Sequence, residues 1–512
     1  MKLHSRKMAA LALVAILLLA LLLRVFNVGH TLSYDEAWNT LSIKDAAQGA
    51  TGDVFYRNFL RHPPAYGAIG VAFARATGSG RLGLSYAMEI LAVLFGVGLV
   101  LAVFLCARDW FGTRAGLFSA FLLAVMPAAR VYDSWVKPES LTLLLCLLFL
   151  FAFFRRQYVV AGLLLGLALL SKEIAVFTVA ALLLFLLAAG TRREFLRFLA
   201  SLGIGVAVSA WWYLLLSEST GEFTDFFLGR SIEAANWRQP WLYYLERVPG
   251  DAGWVIALLL AASFAALLVR LARHGWPVRI ERRDASRMVL LPALWIVFIY
   301  AFLTFSYGKP PWLIYSALPP IALLCGWALS ELVRPGRERA WRYGVVGAVL
   351  AAALATSLLV SPASFLRKAD PTYASSLTHR RAAQYINGEP GGGRVLMRVN
   401  DLSPNFAFYL DSYTPGSITE LAGLPTPGKV EEAGDFSILL MQPDVPPERA
   451  ALDVLAYRPD QVVIRRFQSA GGGDLAAVLA GVVSPEVIGN LYVFDGSRLA
   501  EGLEPLVEPA TP

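Results

Sequence analysis

Residues Leu84–Ala107 read LSYAMEILAVLFGVGLVLAVFLCA, twenty-four positions with one charged side chain, Glu89. A helix that crosses the roughly 30 Å hydrocarbon core needs about 20 such residues. Arg108-Asp-Trp-Phe-Gly-Thr-Arg114 closes the run, and a second apolar run opens at once. Working outward in both directions gives about eleven apolar runs: 8–27, 84–107, 115–129, 138–154, 158–171, 174–190, 195–216, 252–270, 288–306, 312–332 and 343–361. The composition agrees, with 57% hydrophobic and only 16% charged residues against about one quarter charged in soluble chains. Intrinsic disorder and a wholly soluble enzyme are excluded on these figures. The first run has basic residues before it, as a signal peptide would, yet Arg24-Val-Phe-Asn-Val-Gly-His30 offers no small-residue cleavage site, so it reads as a retained helix.

Charge placement sets the orientation. With the N-terminus inside, the inner segments (the N-terminal tail, 108–114, 155–156, 191–197, 270–287 and 333–342) hold 20 lysines and arginines. That is the positive-inside pattern. The net charge of +7 is therefore a topology signal, and no nucleic-acid partner is implied. The outer loops and helix ends carry the carboxylates, including Asp35, Glu36, Asp133, Glu139 and Glu173. Cys106, Cys146 and Cys325 all lie in apolar runs, so no disulfide framework or cysteine zinc site is expected.

Residues 1–361 form the expected membrane domain, with long outer loops at 29–82 and 217–250. From Pro362 glycine, proline and charge rise, and no run is long enough to span. Thr378–Asn387 reads as a helix; Arg394–Val399, Phe436–Met441, Gln461–Arg465 and Asn490–Asp495 read as strands. The expected architecture is an α-helical polytopic membrane protein with a C-terminal soluble α/β domain, 362–512. An odd number of spans puts that domain outside the cytoplasmic (inner) membrane.

Four stretches could carry chemistry, and each has an ordinary structural reading. Ser33-Tyr34-Asp35-Glu36 opens a helix running to Gly49. Ser33-x-x-Glu36 is a capping box, and acids in a first turn complement the helix dipole. Alternatively Glu36 caps and Asp35 is free to act as a general base. Arg61-His62-Pro63-Pro64, followed by Tyr66, is a rigid turn at a helix start or a basic site. Tyr307-Gly308-Lys309-Pro310-Pro311-Trp312-Leu-Ile-Tyr315 is a tight turn with an aromatic interface belt and a snorkelling lysine, or a cation at the mouth of a helix. Loop 217–250, with Arg230, Trp241 and Tyr244, is an interfacial amphipathic segment or part of a site.

Their order resembles the GT-C superfamily of membrane glycosyltransferases, in particular the group of protein O-mannosyltransferases and lipid A aminoarabinose transferases. The matches in chain order are Asp35-Glu36, Arg61-His62-Pro63-Pro64, Lys137-Pro138-Glu139, the loop Gly221…Phe226-Phe227…Arg230…Pro240-Trp241-Leu-Tyr243-Tyr244, and Gly308-Lys309-Pro310-Pro311. Ser171-Lys172-Glu173 is similar to a lysine-bearing turn of the same group. The resemblance covers residues 8–335. It implies transfer of one sugar from a polyprenyl-phosphate-sugar donor to an acceptor lipid, glycan or protein on the outer face of the membrane. It implies Asp35 or Glu36 as the catalytic carboxylate, and His62, Arg230, Lys309 and Arg61 around the donor phosphate. Tyr34, Tyr66, Asp133, Glu139, Lys172, Trp241, Tyr244 and Trp312 would then line the substrate cavity. One base with direct displacement gives inversion, because retention needs a second carboxylate about 5 Å away.

Departures from the family pattern are also visible. His62 stands where the aminoarabinose transferases have lysine, and Trp211-Trp212-Tyr213 is not the Trp-Trp-Asp-Tyr-Gly motif of oligosaccharyltransferases. The first loop has no Asp-x-Asp pair, so no cofactor is required by the motifs and a divalent metal stays open. Competing readings are a lipid-linked glycan polymerase or ligase, and a transporter or lipid flippase. Transporters often show repeated halves and midplane sites, neither of which this sequence displays.

Overall fold

The computed structural model describes residues 2–50, 63–215, 238–274, 285–333, 340–362 and 364–365. In the C-terminal stretch it describes 380, 395–398, 408, 418–420, 438–441, 447–457, 459, 461–465, 475–488 and 491–503. The chain divides into two compact units: Met1–His30 with Asn58–Asp370, and Thr31–Arg57 with Pro371–Pro512.

The helices are α1 (Lys2–Val25), α2 (Tyr34–Gln48), α3 (Pro64–Thr77), α4 (Arg81–Phe111), α5 (Thr113–Val125), α6 (Pro127–Tyr132), α7 (Glu139–Phe154), α8 (Tyr158–Leu169), α9 (Ala175–Ala189), α10 (Arg192–Leu215), α11 (Tyr243–Asp251), α12 (Trp254–His274), α13 (Leu290–Phe305), α14 (Leu318–Leu332) and α15 (Ala340–Leu359). A 3₁₀ helix, Pro311–Ala317, leads into α14. All but α2 belong to the first unit.

Each of the eleven apolar runs is helical, but they differ in length. Six are long and apolar enough to cross a membrane: Lys7–Val25, Leu82–Phe111, Arg192–Leu214, Trp254–Arg273, Pro311–Leu332 and Ala340–Leu359. Helices α5, α7, α8, α9 and α13 have 13, 16, 12, 15 and 16 residues. At about 1.5 Å per residue they fall short of a full hydrocarbon core. Specific residues stop them at one end. Met126-Pro127 ends α5, Lys137-Pro138 precedes α7, Ser171-Lys172 follows α8, and Ser306 starts the turn after α13. A proline has no amide to continue the ladder, and the polar residues need partners other than lipid.

The long helices expose apolar side chains. On α1 Met8, Leu11, Val14, Leu18, Leu22 and Val25 are exposed at helical spacing, while Ala20, Leu23 and Arg24 are buried. This inverts a soluble helix and suits lipid contact. Small residues let the helices approach. A Cβ added at Gly162 of α8 would lie 2.6 Å from Ile204 Cβ of α10, and one at Gly166 would lie 2.6 Å from Val208 Cβ. This spacing of small residues is a common packing device where lipid replaces water as solvent. The three cysteines are free and buried.

In the second unit, strands β1 (Val395–Arg398), β2 (Ile418–Glu420), β3 (Ile438–Met441), β4 (Gln461–Arg465), β5 (Glu486–Ile488) and β6 (Leu491–Asp495) form one sheet. Its order is β2-β1-β3-β4-β6-β5. The first four pair in parallel and the last three antiparallel. Parallel β3 and β4 need a crossover, which α16 (Pro447–Tyr457) supplies. With α17 (Leu475–Ala480) and α18 (Gly496–Leu503) it buries Leu439, Val454, Val462, Leu479, Phe494 and Leu499 in one core. Of the helix expected over Thr378–Asn387 only Arg380, which is helical, is among the described residues.

Candidate functional site

The shortened helix ends of the first unit are joined by buried polar side chains. At the centre is Asp133, fully buried after α6. Arg24 Nε donates to its Oδ2 at 2.7 Å, and Arg24 Nη1 donates to the carbonyls of Ala20 and Ala124 at 3.1 and 3.2 Å. Ser140 Oγ and the Tyr315 hydroxyl both donate to Asp133 Oδ1. The carboxylate reaches this position because residue 96 is glycine: a Cβ there would collide with Asp133. Removing two charges from water costs several kcal/mol per ion, and only a full set of hydrogen bonds offsets it. Asp133 has that set, although Arg24 Nη2 is buried without a hydrogen-bond partner, and the carboxylate's bonds join α1, α7 and the 3₁₀ helix.

A second cluster lies where α7 begins. Lys172 Nζ is 2.5 Å from Glu139 Oε1, while Glu139 Oε2 is buried with no hydrogen-bond partner. Thr142 Oγ1 donates to Ser171 Oγ at 2.9 Å and ties the two turns together. Burial raises the neighbouring Glu173 above the usual carboxylate range. Lys137 Nζ sits 4.4 Å from the Trp135 ring and 4.1 Å from the Trp312 ring, a cation–π sandwich that links this turn to the 3₁₀ helix.

Lys309 occupies the turn between α13 and the 3₁₀ helix. It is buried, its ammonium donates to the Ser306 carbonyl, and desolvation lowers its pKa. Ser306 Oγ donates to the Gly308 carbonyl at 2.7 Å, and Gly308 pairs with Arg238 in an isolated antiparallel bridge. The Tyr244 hydroxyl, kept protonated by burial, donates to the Pro310 carbonyl at 2.8 Å. On the same helix Arg247 and Asp251 pair at 2.9 Å, and burial pushes Asp251 up to about 6. Trp241 is exposed and meets Phe305 edge to face at 5.7 Å. Tyr66 is buried in α3.

In the second unit α2 starts as the sequence predicts. The Ser33 amide donates to Glu36 Oε2 at 2.8 Å, Gly49 closes the helix at φ +73, and Glu36 is fully buried. Asp35 is only half-buried, and Tyr34 meets Trp38 with ring centroids 5.3 Å apart. Arg61, His62 and Arg230 lie outside the described residues. Among the described residues no group of three or more His, Cys, Asp or Glu is arranged to hold a metal.

Arg24 and Trp135 stood outside the candidate stretches, while Tyr315 and Lys137 lay within them without an assigned role. Arg24 offered one signal, a cation in the last turn of an apolar helix that must find a partner or snorkel.

A family described as dolichyl-phosphate-mannose-protein mannosyltransferase matches residues 61–213. The undecaprenyl phosphate-alpha-4-amino-4-deoxy-L-arabinose arabinosyl transferase of Pseudomonas savastanoi pv. phaseolicola is 27% identical over 370 residues, 68% of this chain and 66% of that protein. Its counterpart in Pseudomonas aeruginosa (strain UCBPP-PA14) is 36% identical over 110 residues, 22% of this chain and 18% of that one. The chain thus spans just under two thirds of the first relative and less than a fifth of the second. The crystal structure of ArnT from Cupriavidus metallidurans bound to undecaprenyl phosphate matches with a TM-score of 0.63 at 18% identity, over 95% of this chain and 97% of that one. The Archaeoglobus fulgidus oligosaccharyltransferase gives 0.57 at 14% identity, over 91% and 70%. The chain has the GT-C fold. The family match takes in Asp133, Glu139 and Lys172, whereas Asp35 and Lys309 fall outside it.

Proposed function

We propose that the chain is an integral membrane glycosyltransferase that moves a single sugar from a polyprenyl-phosphate donor to an acceptor lipid, glycan or protein. The observation that carries this reading is the fold likeness to ArnT over nearly the whole of both chains. In this reading the protein lies in the cytoplasmic (inner) membrane with about eleven spans, five of them formed by the shorter helices. The membrane domain is 1–361, and the α/β domain 362–512 faces outward, which follows from the 20 basic residues on the inner segments.

The chemistry is a displacement at the anomeric carbon. The acceptor oxygen or nitrogen forms the new bond while the bond from that carbon to the phosphate oxygen breaks. The electron pair leaves on the phosphate, and the acceptor proton passes to a base. Asp35 suits the base: it is half-buried in the first turn of a helix, and its neighbour Glu36 accepts the Ser33 amide. Lys309, with His62, Arg61 and Arg230, would meet the negative charge of the leaving phosphate. A single base with direct attack inverts the anomeric configuration.

The test is incubation of the purified protein with a panel of prenyl-phosphate sugars and candidate acceptors, measuring prenyl phosphate released. Turnover with one donor is expected. No release from any donor, by a protein shown to be folded, would refute the reading. Orientation is checked with a cysteine at Ser375, which should react with an impermeant thiol reagent in intact cells after outer-membrane permeabilisation. Reaction only after lysis would reverse the topology.

A further inference from the structure

The turn that carries Lys309 is short; its side-chain hydrogen bonds are local, and its backbone is tied to a distant segment by the Gly308–Arg238 bridge. The segment that follows it, Pro311–Ala317, is a 3₁₀ helix of seven residues. Such helices have poor hydrogen-bond geometry and are seldom held by their backbone alone. Two tyrosine hydroxyls tie this stretch to its neighbours. Tyr244, on α11, donates to the Pro310 carbonyl at 2.8 Å. Tyr315, within the 3₁₀ helix, donates to Asp133, which is itself fixed by Arg24 at 2.7 Å and by Ser140 at 2.9 Å. Both tyrosines are buried, and Pro310-Pro311 between the two attachment points has its φ angles fixed.

We infer that Tyr244 and Tyr315, the latter anchored through Asp133 and Arg24, form a brace that holds the Lys309 turn in one position; both are positioning residues for the phosphate-binding role proposed for Lys309. Asp133 is then part of the machinery without touching substrate. The glycine at position 96 belongs to the same device, since only a residue without a Cβ leaves room for the carboxylate. The brace explains why a buried carboxylate and a buried arginine are kept at this point, where an apolar pair of the same volume would cost less.

The inference rests on the glycosyltransferase reading only for its purpose, so the first measurement does not use turnover. Lys309 Nζ is buried and donates to Ser306, so in the wild type it should react slowly with an amine-acylating reagent, followed by mass spectrometry of its peptide. Tyr315→Phe and Tyr244→Phe each remove one hydroxyl and leave the ring. Each should raise the acylation rate of Lys309 by roughly fivefold, the ratio for one net hydrogen bond, and the double variant by more. Gly96→Ala, which displaces Asp133 from the far side, should do the same without touching either tyrosine.

Midpoints of thermal unfolding show whether the variants are folded at the assay temperature. Lys309 reactivity equal to wild type in folded Tyr244→Phe/Tyr315→Phe would overturn the inference. In turnover assays the brace variants should raise KM for the donor more than they lower kcat. A rise in Lys309 reactivity with no change in donor KM would keep the brace and reject the phosphate-binding role of Lys309, so the two failures are distinguishable.

Discussion

Asp133 and Asp35 are both acids placed at a helix terminus, and they differ in how far protein encloses them. Asp133 has no exposed surface and is held by Arg24, Ser140 and Tyr315. Asp35 is half-exposed, beside a glutamate that has taken over the capping duty. A fully enclosed carboxylate cannot reach an acceptor molecule, whereas one with exposed surface is open to a proton transfer. Acidity near a membrane surface is therefore a weak sign of catalysis until the partners are known.

The largest expected effect tests the first half of the comparison. Asp133→Ala leaves Arg24 as a buried cation without its carboxylate, and breaking one side of a buried pair costs about 3–5 kcal/mol. Unfolding followed by circular dichroism in detergent should show a large fall in stability. A variant as stable as wild type would mean that Arg24 finds water there and that the pair is not structural.

Asp35→Asn tests the other half. It retains the size of the side chain and its capacity to cap, so stability should fall far less than in Asp133→Ala. Turnover should fall by about 10²-fold or more, the share of a general base. Near-normal turnover would leave Asp35 with only a helix-dipole role. The two substitutions together should give opposite patterns, stability lost in one and rate lost in the other.

A smaller effect is expected at Lys309. Charge-assisted hydrogen bonds contribute about 1.5–3 kcal/mol, so Lys309→Ala should weaken donor binding by roughly one to two decades. Comparing Asp35→Asn alone with Asp35→Asn/Lys309→Ala disables chemistry in both and isolates binding. Equal donor affinity in the two would return Lys309 to a turn-closing lysine, the role its bond to the Ser306 carbonyl already serves.

The sequence made the helices legible because apolar length is a local property. Each of the eleven runs became a helix, and β1, β3, β4 and β6 fell within or on the stretches marked as strands. Strands β2 and β5, three residues each at the two edges of the sheet, were not marked, since an edge strand that short has no periodicity to read. The capping box at Ser33 and Glu36 was legible for the same local reason, a spacing of three. The brace was not. Arg24, Asp133 and Tyr315 are separated by 109 and 182 residues, and no pattern within a helix turn links them. Tertiary pairing of buried charges also explains why Asp133, expected among substrate-lining residues, is enclosed by protein.

The smallest effect concerns Glu36, and it decides which of two adjacent acids is the base. Glu36 accepts the Ser33 amide at 2.8 Å and is buried, so its carboxylate is committed to the start of α2. Glutamine at the third helical position of a capping box can accept the same amide through its side-chain oxygen. Glu36→Gln therefore keeps the cap and takes a negative charge away from the helix N-terminus, an effect of about 0.3–1 kcal/mol. Turnover should remain within about threefold of wild type, because a change of that size in helix stability leaves a folded helix folded. Glu36→Ala removes the acceptor as well and should cost about 1 kcal/mol, again with the rate largely kept. The comparison is made on the purified protein, reading unfolding midpoint and prenyl phosphate release side by side. A collapse of turnover in Glu36→Gln, with an active Asp35→Asn, would exchange the two roles and make the buried acid the base.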